Sequence, residues 1–544
     1  MESFDYIIVG AGSAGSVLAH RLGEDRARRI LLLEAGQRHT DWLLRLPIGT
    51  AKVFTAERYN WSYTSDPEPN LDGRKLPHPR GKLVGGSAAI NAMAYVRGNP
   101  ADFDRLAASG LDGWSYRDVL PYFKRSERFE EGSNAYHGGD GPWYVERSHS
   151  NEPVLHAFLK AGGEIGYSMN EDYNGAEQLG FARQQHTIRR GRRVGNAEAF
   201  LLPALRRGNI RLEVSAHATR ILIEDKRAVG IEYVQDGNVC SARAGIDIII
   251  SAGTINSPQL LMLSGIGPVD HLKLTGVEPK VDLPSVGENL WDHPMIMTAW
   301  SRKGIGQLRR ELRYDRLVWS VARAILFGTG FAANYPTAGT AFVKSSPDQE
   351  IPDLQLFCRD GSASSHEWFP FIRPPAPQTI GLNCAHVRPE SRGVVRLASS
   401  DPFAHARIRS DFLATENDRN ALRSGYKTVR ALMTSRAFST YAGDSVSPPR
   451  NLVNDDEIDA YVRQSLRTVL HPAGTCRLGA DAKAVVDPAF RVRGIDGLRV
   501  IDASVIPSPV GGNINATVTM YAEKASDIVL GKPPLPRANF DDGT

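Results

Sequence analysis

Cysteine is scarce in this chain. The four present (Cys240, Cys358, Cys384, Cys476) are far apart and none stands in a C-x-x-C pair. That excludes a zinc ribbon and a disulfide scaffold, no metal is expected, and the usage suits a reducing compartment. No apolar run reaches the length needed to span a bilayer. The opening, MESFDYIIVGAG, lacks a basic lead and a cleavable apolar core, so the expected location is the cytoplasm. Charge of one sign is missing too: 65 Lys and Arg against 61 Asp and Glu leave +4 on 544 residues. Nucleic acid held by bulk charge is thereby excluded, and the basic run Arg189, Arg190, Arg192, Arg193 reads as solvated surface. No internal repeat or low-complexity tract is present.

What is present is ordinary globular composition, 42% hydrophobic and 23% charged, on a length suited to roughly three to four domain-sized units. Phe4–Val9 is an apolar strand, Ser13–Leu22 has helical character, and Arg29–Leu33 is a second buried-type strand. Together they predict a β-α-β unit, the start of a parallel sheet with helices packed on its faces. Between strand and helix, Gly10-Ala-Gly12-Ser-Ala-Gly15 matches the dinucleotide fingerprint: a tight turn, room for the pyrophosphate, and close helix–strand packing. The helix N-terminus offers N–H groups to phosphates. Glu34 closes the second strand, where a carboxylate binds ribose hydroxyls and disfavours a 2′-phosphate. An ADP moiety is therefore expected, without a choice between FAD and NAD.

Further along, Arg211–Val214, Thr219–Ile223 and Val229–Val234 alternate apolar and polar, with Asp236-Gly237 as a turn. This predicts a small antiparallel meander. Gly245–Ile250 returns to a continuous apolar strand. Residues from about 300 to 450 are proline-rich and irregular, as a pocket-shaping region is. Leu498–Ile501 then reads as a strand and Asn515–Leu530 as a helix. The expected division is a nucleotide domain over 1–299, a substrate domain over 300–454, and a return to the first domain over 455–544. The segment 308–327, LRRELRYDRLVWSVARAILF, has near-helical apolar spacing with arginines between. It is read as a helix packed on its own domain, with a helix lying on a membrane surface as the alternative.

The loop RGKLVGGSAAINAMAYVRG, 80–98, has no role in a simple NAD fold. The run GTINSPQLLMLSGIG, 253–267, reads structurally as a capped helix ending at glycine. With HPAGTCRLG at 471–479 and Asn515 near the end, these segments resemble the glucose–methanol–choline family of flavin oxidoreductases from residue 4 to about 530. The resemblance implies an α/β fold, with a Rossmann-like FAD domain and a discontinuous second domain on an antiparallel sheet with helices. It implies non-covalent FAD bound by Gly10, Gly12, Ser13, Ala14, Gly15, Glu34 and Ala35; by Arg80, Val84, Gly86, Ser87, Asn91, Ala92, Met93 and Ala94; and by Ala218, Asp502, Ala503, Asn515 and Thr517. In some relatives a histidine near His78 is bonded to the flavin, which makes a covalent link there an alternative.

Oxidising an alcohol needs a base for the O–H proton and a donor for the developing alkoxide, while the cofactor takes the hydride. The resemblance assigns His471 as base and Asn515 as donor, with Asn513 as the competitor. Imidazole near its ordinary pKa suits that task. Electrons then pass to oxygen, a quinone or another acceptor. Ser87-Ala88 and Gly195 depart from the commoner family pattern. Choline-oxidising relatives carry a carboxylate four residues before a Phe; here NYPTAGTAF, 334–342, has Ala338 before Phe342 and no acid. A neutral, primary alcohol is therefore expected rather than choline. The rival readings are a choline dehydrogenase, a flavin lyase, a light-driven decarboxylase using Cys384 and Arg388, an NAD dehydrogenase, and a silent binding protein of the same fold.

Overall fold

The computed structural model describes residues 1–362 and 364–540, apart from the side chains at 337 and 338. Two sheets organise them. The chain opens with β1 (Glu2–Val9), α1 (Ser13–Leu22) and β2 (Ile30–Leu33), and α2 (Tyr116–Ser126) follows after a stretch of loops and short helices. The short β3 (Gly180–Arg183) belongs to the second sheet, and β4 (Ile210–Glu213) brings the chain back to the first. There β5 (Ala216–Glu224), β6 (Arg227–Gln235) and β7 (Asn238–Ile250) form the antiparallel meander, and α3 (Gly253–Leu263) leaves it.

The first sheet runs β4–β2–β1–β7–β6–β5. Its strands β4, β2, β1 and the second half of β7 are parallel. Ile7, Ile8, Leu31, Leu32, Ile248 and Ile249 are buried, as expected where helices cover both faces. One expectation is corrected here: residues 210–213 are not part of the meander. Ile210 pairs with Ile30 and Glu213 with Leu33, both in parallel.

The second sheet is antiparallel throughout. It uses β8 (Pro294–Ile296) and β9 (Ala299–Arg302). The helices α4 (Gln307–Glu311) and α5 (Tyr314–Phe327) intervene before β10 (Thr337–Val343), β11 (Leu354–Asp360) and β12 (Thr379–His386). Helix α6 (Glu416–Met433) then packs on β12 before β13 (Ala442–Ser447) and β14 (Arg467–Thr468). The order is β13–β9–β12–β11–β10–β3, with β8 bridging β12 and β14. Strand alternation divides this sheet. Leu354, Leu356, Cys358, Leu382 and Cys384 enter a buried cluster with Leu422, Tyr426 and Val429 of α6. Their neighbours Gln355, Phe357, Arg359 and Asn383 point the other way.

The chain then returns to the first sheet. Strand β15 (Leu498–Val500) pairs in parallel with Ile248–Ile250 of β7, and α7 (Asn515–Val529) packs on α1 and α2. No helix among the described residues is long and apolar enough to cross a membrane.

Candidate active site

A cavity of about 1200 Å³ runs between the two sheets, from Gly10 and Glu34 past the 80–94 loop to His471. It is larger than a typical small-molecule site and has room for a dinucleotide and a substrate together. The fingerprint loop and the 80–94 loop are built to touch. Gly85 N–H donates to the Ala11 carbonyl at 2.8 Å. Gly86 has φ +52°, and a Cβ there would lie 2.8 Å from the Cα of Gly12. Glycine is required at such a crossing.

Each predicted cofactor contact can now be placed. Gly10, Gly12, Ser13, Ala14, Glu34, Ala35, Arg80, Gly86, Ser87, Asn91, Ala92, Met93, Ala94, Ala218, Asp502, Ala503 and Asn515 all line the cavity. Among the described residues Gly15, Val84 and Thr517 do not. Gly15 is turned onto Gly10, whose carbonyl a Cβ would overlap. Val84 packs against the first core. The Thr517 hydroxyl donates to the Arg97 carbonyl at 3.2 Å. His78 is off the wall as well. It is buried with both ring nitrogens unpartnered, while Pro77, Pro79 and Arg80 face the cavity.

Glu34 Oε2 accepts from Ala11 N–H at 3.0 Å and Oε1 from Gly36 N–H at 2.8 Å. Burial pushes its pKa up to about 7 despite those two donors. Asn91 Oδ1 accepts from Met93 N–H (2.9 Å) and from Arg193 (2.8 Å). Arg193 is thus a buried brace for the loop rather than solvated surface; Arg189, Arg190 and Arg192 are exposed. Asp502 accepts from Gly253 N–H, the Ser257 hydroxyl and Ser504 N–H, which pins the start of α3 beside the fingerprint loop. These residues fit FAD: two loops in backbone contact, a carboxylate at the end of β2, and the N-terminal ends of α1 and α7 on one cavity wall.

At the other end, His471 N–H donates to Asp292 Oδ1 (2.8 Å). Its Nδ1 lies 3.0 Å from Nδ1 of His293, and its Nε2 lies 3.1 Å from Nδ2 of Asn513. Asn513 Oδ1 in turn accepts from Gln355 Nε2 at 3.2 Å. That contact orients the amide so that Nδ2 is the donor toward His471. Nε2 of His471 is then unprotonated and Nδ1 carries the hydrogen shared with His293. The expectation of an imidazole near its ordinary pKa is corrected here: burial, reinforced by the Arg80 charge, pushes the His471 pKa down to about 3. His293 is lowered well below the ordinary range by burial and by His471.

The expected pairing of His471 with Asn515 is corrected by this geometry. Asn515 Oδ1 accepts from the Ser13 hydroxyl at 2.6 Å, and its Nδ2 donates to Asn196 at 3.1 Å. It fastens the start of α7 to the start of α1. Sequence reading also missed His293 and Gln355. No motif surrounds either, and their contacts span 178 and 158 residues. Cys384 lies in the core under α6, and Arg388 is held by Asp102 and the Pro352 carbonyl. Neither lines the cavity among the described residues, which removes the support for a decarboxylase. The Ala338 side chain lies outside the described residues.

A family model described as GMC oxidoreductase matches residues 4–295, and its C-terminal counterpart matches 389–522. An oxygen-dependent choline dehydrogenase of Sinorhizobium fredii (strain NBRC 101917 / NGR234) is 41% identical, covering 98% of this chain and 97% of its own. That of Brucella suis (strain ATCC 23445 / NCTC 10510) is 40% identical with the same coverage. Among solved structures, pyridoxine 4-oxidase from Mesorbium loti is 30% identical with a TM-score of 0.86, over 96% of this chain and 98% of that one. A formate oxidase variant from Aspergillus oryzae RIB40 superposes with a TM-score of 0.90 at 27% identity, over 97% and 98%. With these matches spanning both sheets and the cavity between them, the chain belongs to the GMC oxidoreductase family, as an FAD-dependent enzyme acting on CH–OH donors.

Proposed function

We propose that the chain oxidises a neutral primary alcohol to its aldehyde, with His471 as base and Asn513 as the donor to the substrate oxygen. The observation that carries this reading is the placement of His471 Nε2 and Asn513 Nδ2, 3.1 Å apart on the cavity wall. Bound FAD supplies the acceptor for the hydride that leaves the carbinol carbon. His471 takes the hydroxyl proton at Nε2, so alcohol becomes aldehyde with one proton and one hydride removed. A pKa near 3 keeps the ring neutral and able to accept throughout the physiological range. The same burial disfavours an imidazolium left without a counter-charge. Asn513 Nδ2, oriented by Gln355, holds the oxygen as its negative charge grows. In this reading FAD is bound without a covalent link, since His78 is not among the described residues that line the cavity.

Neutrality follows from the charges on the wall. The acids lining it among the described residues are Glu34, Glu367 and Asp502. Glu34 and Asp502 are engaged by backbone and hydroxyl donors, and Glu367 is paired with Lys52. Arg359 lines the same cavity, as do Phe357, Met295, Met297 and Tyr335. A trimethylammonium group would find no free carboxylate among these acids. The second reading, choline oxidation, is favoured by 41% identity over nearly the full length. Anaerobic flavin bleaching by choline and by a panel of neutral alcohols, followed by admission of air, decides between them. The expected result is at least tenfold lower kcat/KM for choline than for the best neutral alcohol. Equal values overturn the proposal, and the rate of recolouring in air reports whether oxygen is the acceptor.

A further inference from the structure

The helix segment after β9 packs through one side only, with Val321 and Ala324 against Leu46, Ala332 and Ala333. Only Ser320 and Ala324 of α5 are buried. Leu312, Leu317 and Val321 turn inward to the cavity wall. The opposite side is apolar and open: Trp319 is 66% exposed, Leu326 71% and Phe327 71%.

A second element extends this face. Tyr314 N–H donates to the Trp368 carbonyl at 2.9 Å, and a turn closed by Phe369 N–H to the Arg373 carbonyl (3.1 Å) follows. That turn holds Phe371 fully exposed at φ +64° and Ile372 81% exposed. An L-residue with a large side chain seldom takes that φ. At the far end of the helix, Arg192 donates to the Ile325 carbonyl at 3.1 Å, which sets the exposed Arg189–Arg192 turn beside Phe327. A continuous apolar strip therefore follows α5, about 21 Å long at 1.5 Å per residue, with aromatic residues at both ends.

The rim of the strip is cationic. Residues 308–327 hold five arginines against two acids, Glu311 and Asp315, and Asp315 is paired with Arg313. Arg310, Arg316, Arg323, Arg190 and Arg192 are exposed. A two-fold contact between copies of the chain would set these like charges against each other. An anionic lipid surface takes up both features: the aromatic and aliphatic groups enter the headgroup boundary and the arginines meet phosphates. We propose that α5 and the 369–373 turn form a docking surface for an anionic lipid bilayer. The enzyme seated this way has the wall of its cavity against the membrane.

The test is co-sedimentation of the FAD-loaded protein with vesicles of phosphatidylcholine, with and without phosphatidylglycerol. No substrate is involved, so the result is independent of the catalytic reading. The expected result is binding to the phosphatidylglycerol vesicles, weakened by high salt. The triple variant Trp319→Ser, Phe327→Ser, Phe371→Ser lowers the partition coefficient at least tenfold while keeping its flavin. The variant Arg310→Gln, Arg316→Gln, Arg323→Gln loses the preference for anionic vesicles. Absence of binding by the parent, or equal binding by the serine variant, overturns the proposal. So does a parent dimer that the serine variant converts to monomer, which would assign the face to a second copy of the chain.

Discussion

Asn513 and Asn515 stand two positions apart at the start of α7, and their side chains serve opposite ends of the cavity. Asn513 precedes the helix, and its amide lies between Gln355 and His471. Asn515 is the first helical residue, and its amide lies between Ser13 and Asn196. Asn513→Ala removes the donor that meets developing charge, and kcat/KM is expected to fall by about 10²–10³-fold with flavin content unchanged. Asn515→Ala loosens the joint between two helix ends, so its main effect is weaker flavin retention and a smaller change in kcat. Steady-state kinetics together with flavin-to-protein absorbance separate the two. The pair also shows where sequence legibility ends. The motif locates the segment, but which amide reaches His471 depends on Gln355, whose strand lies far off in the chain.

Elements differ in how much of their placement is local. The β1–α1–β2 unit is written in contiguous residues: apolar runs, a glycine loop and a closing acid. Strand β4 reads from the same alternation as the meander, yet it pairs in parallel with β2, because alternation encodes a buried face and not a partner. Helix α7 is legible as a helix, but its seat is not. Glu523, fully buried, binds Arg21 of α1 through two contacts of 2.9 Å and Arg125 of α2 at 2.7 Å. Removing this carboxylate takes away the buried partner that both guanidinium groups share, leaving Arg21 with Glu24 and Arg125 with Asp527. Glu523→Ala is expected to destabilise the chain by about 3 kcal/mol, read as a lower denaturant midpoint. Glu523→Gln, which retains hydrogen bonding, is expected to cost less.

For the whole molecule, the cavity wall is drawn from both sheets, so cofactor and fold are coupled. FAD at about a hundredfold over its Kd is expected to add about 2.7 kcal/mol. Stripping it should lower Tm in calorimetry, and refilling should restore it. Family, cofactor and general chemistry are legible in the sequence, since they rest on short segments with fixed spacing. The substrate is less so, because its end of the cavity is assembled from the irregular middle of the chain, where Phe357, Arg359 and Tyr335 converge only after folding. The open apolar side of α5 is hidden from sequence for a related reason: helical spacing shows that a stripe exists without showing what covers it.

The pairing of Leu498–Val500 with Ile248–Ile250 has a consequence for biosynthesis. During translation, β7 emerges and pairs with β1 long before its other neighbour exists. The nascent half-sheet keeps one flank open, with amide and carbonyl groups available to unwanted strands. That flank stays open until Leu498–Val500 has emerged, and the flavin cavity is complete only when Asp502 and Asn515 have followed.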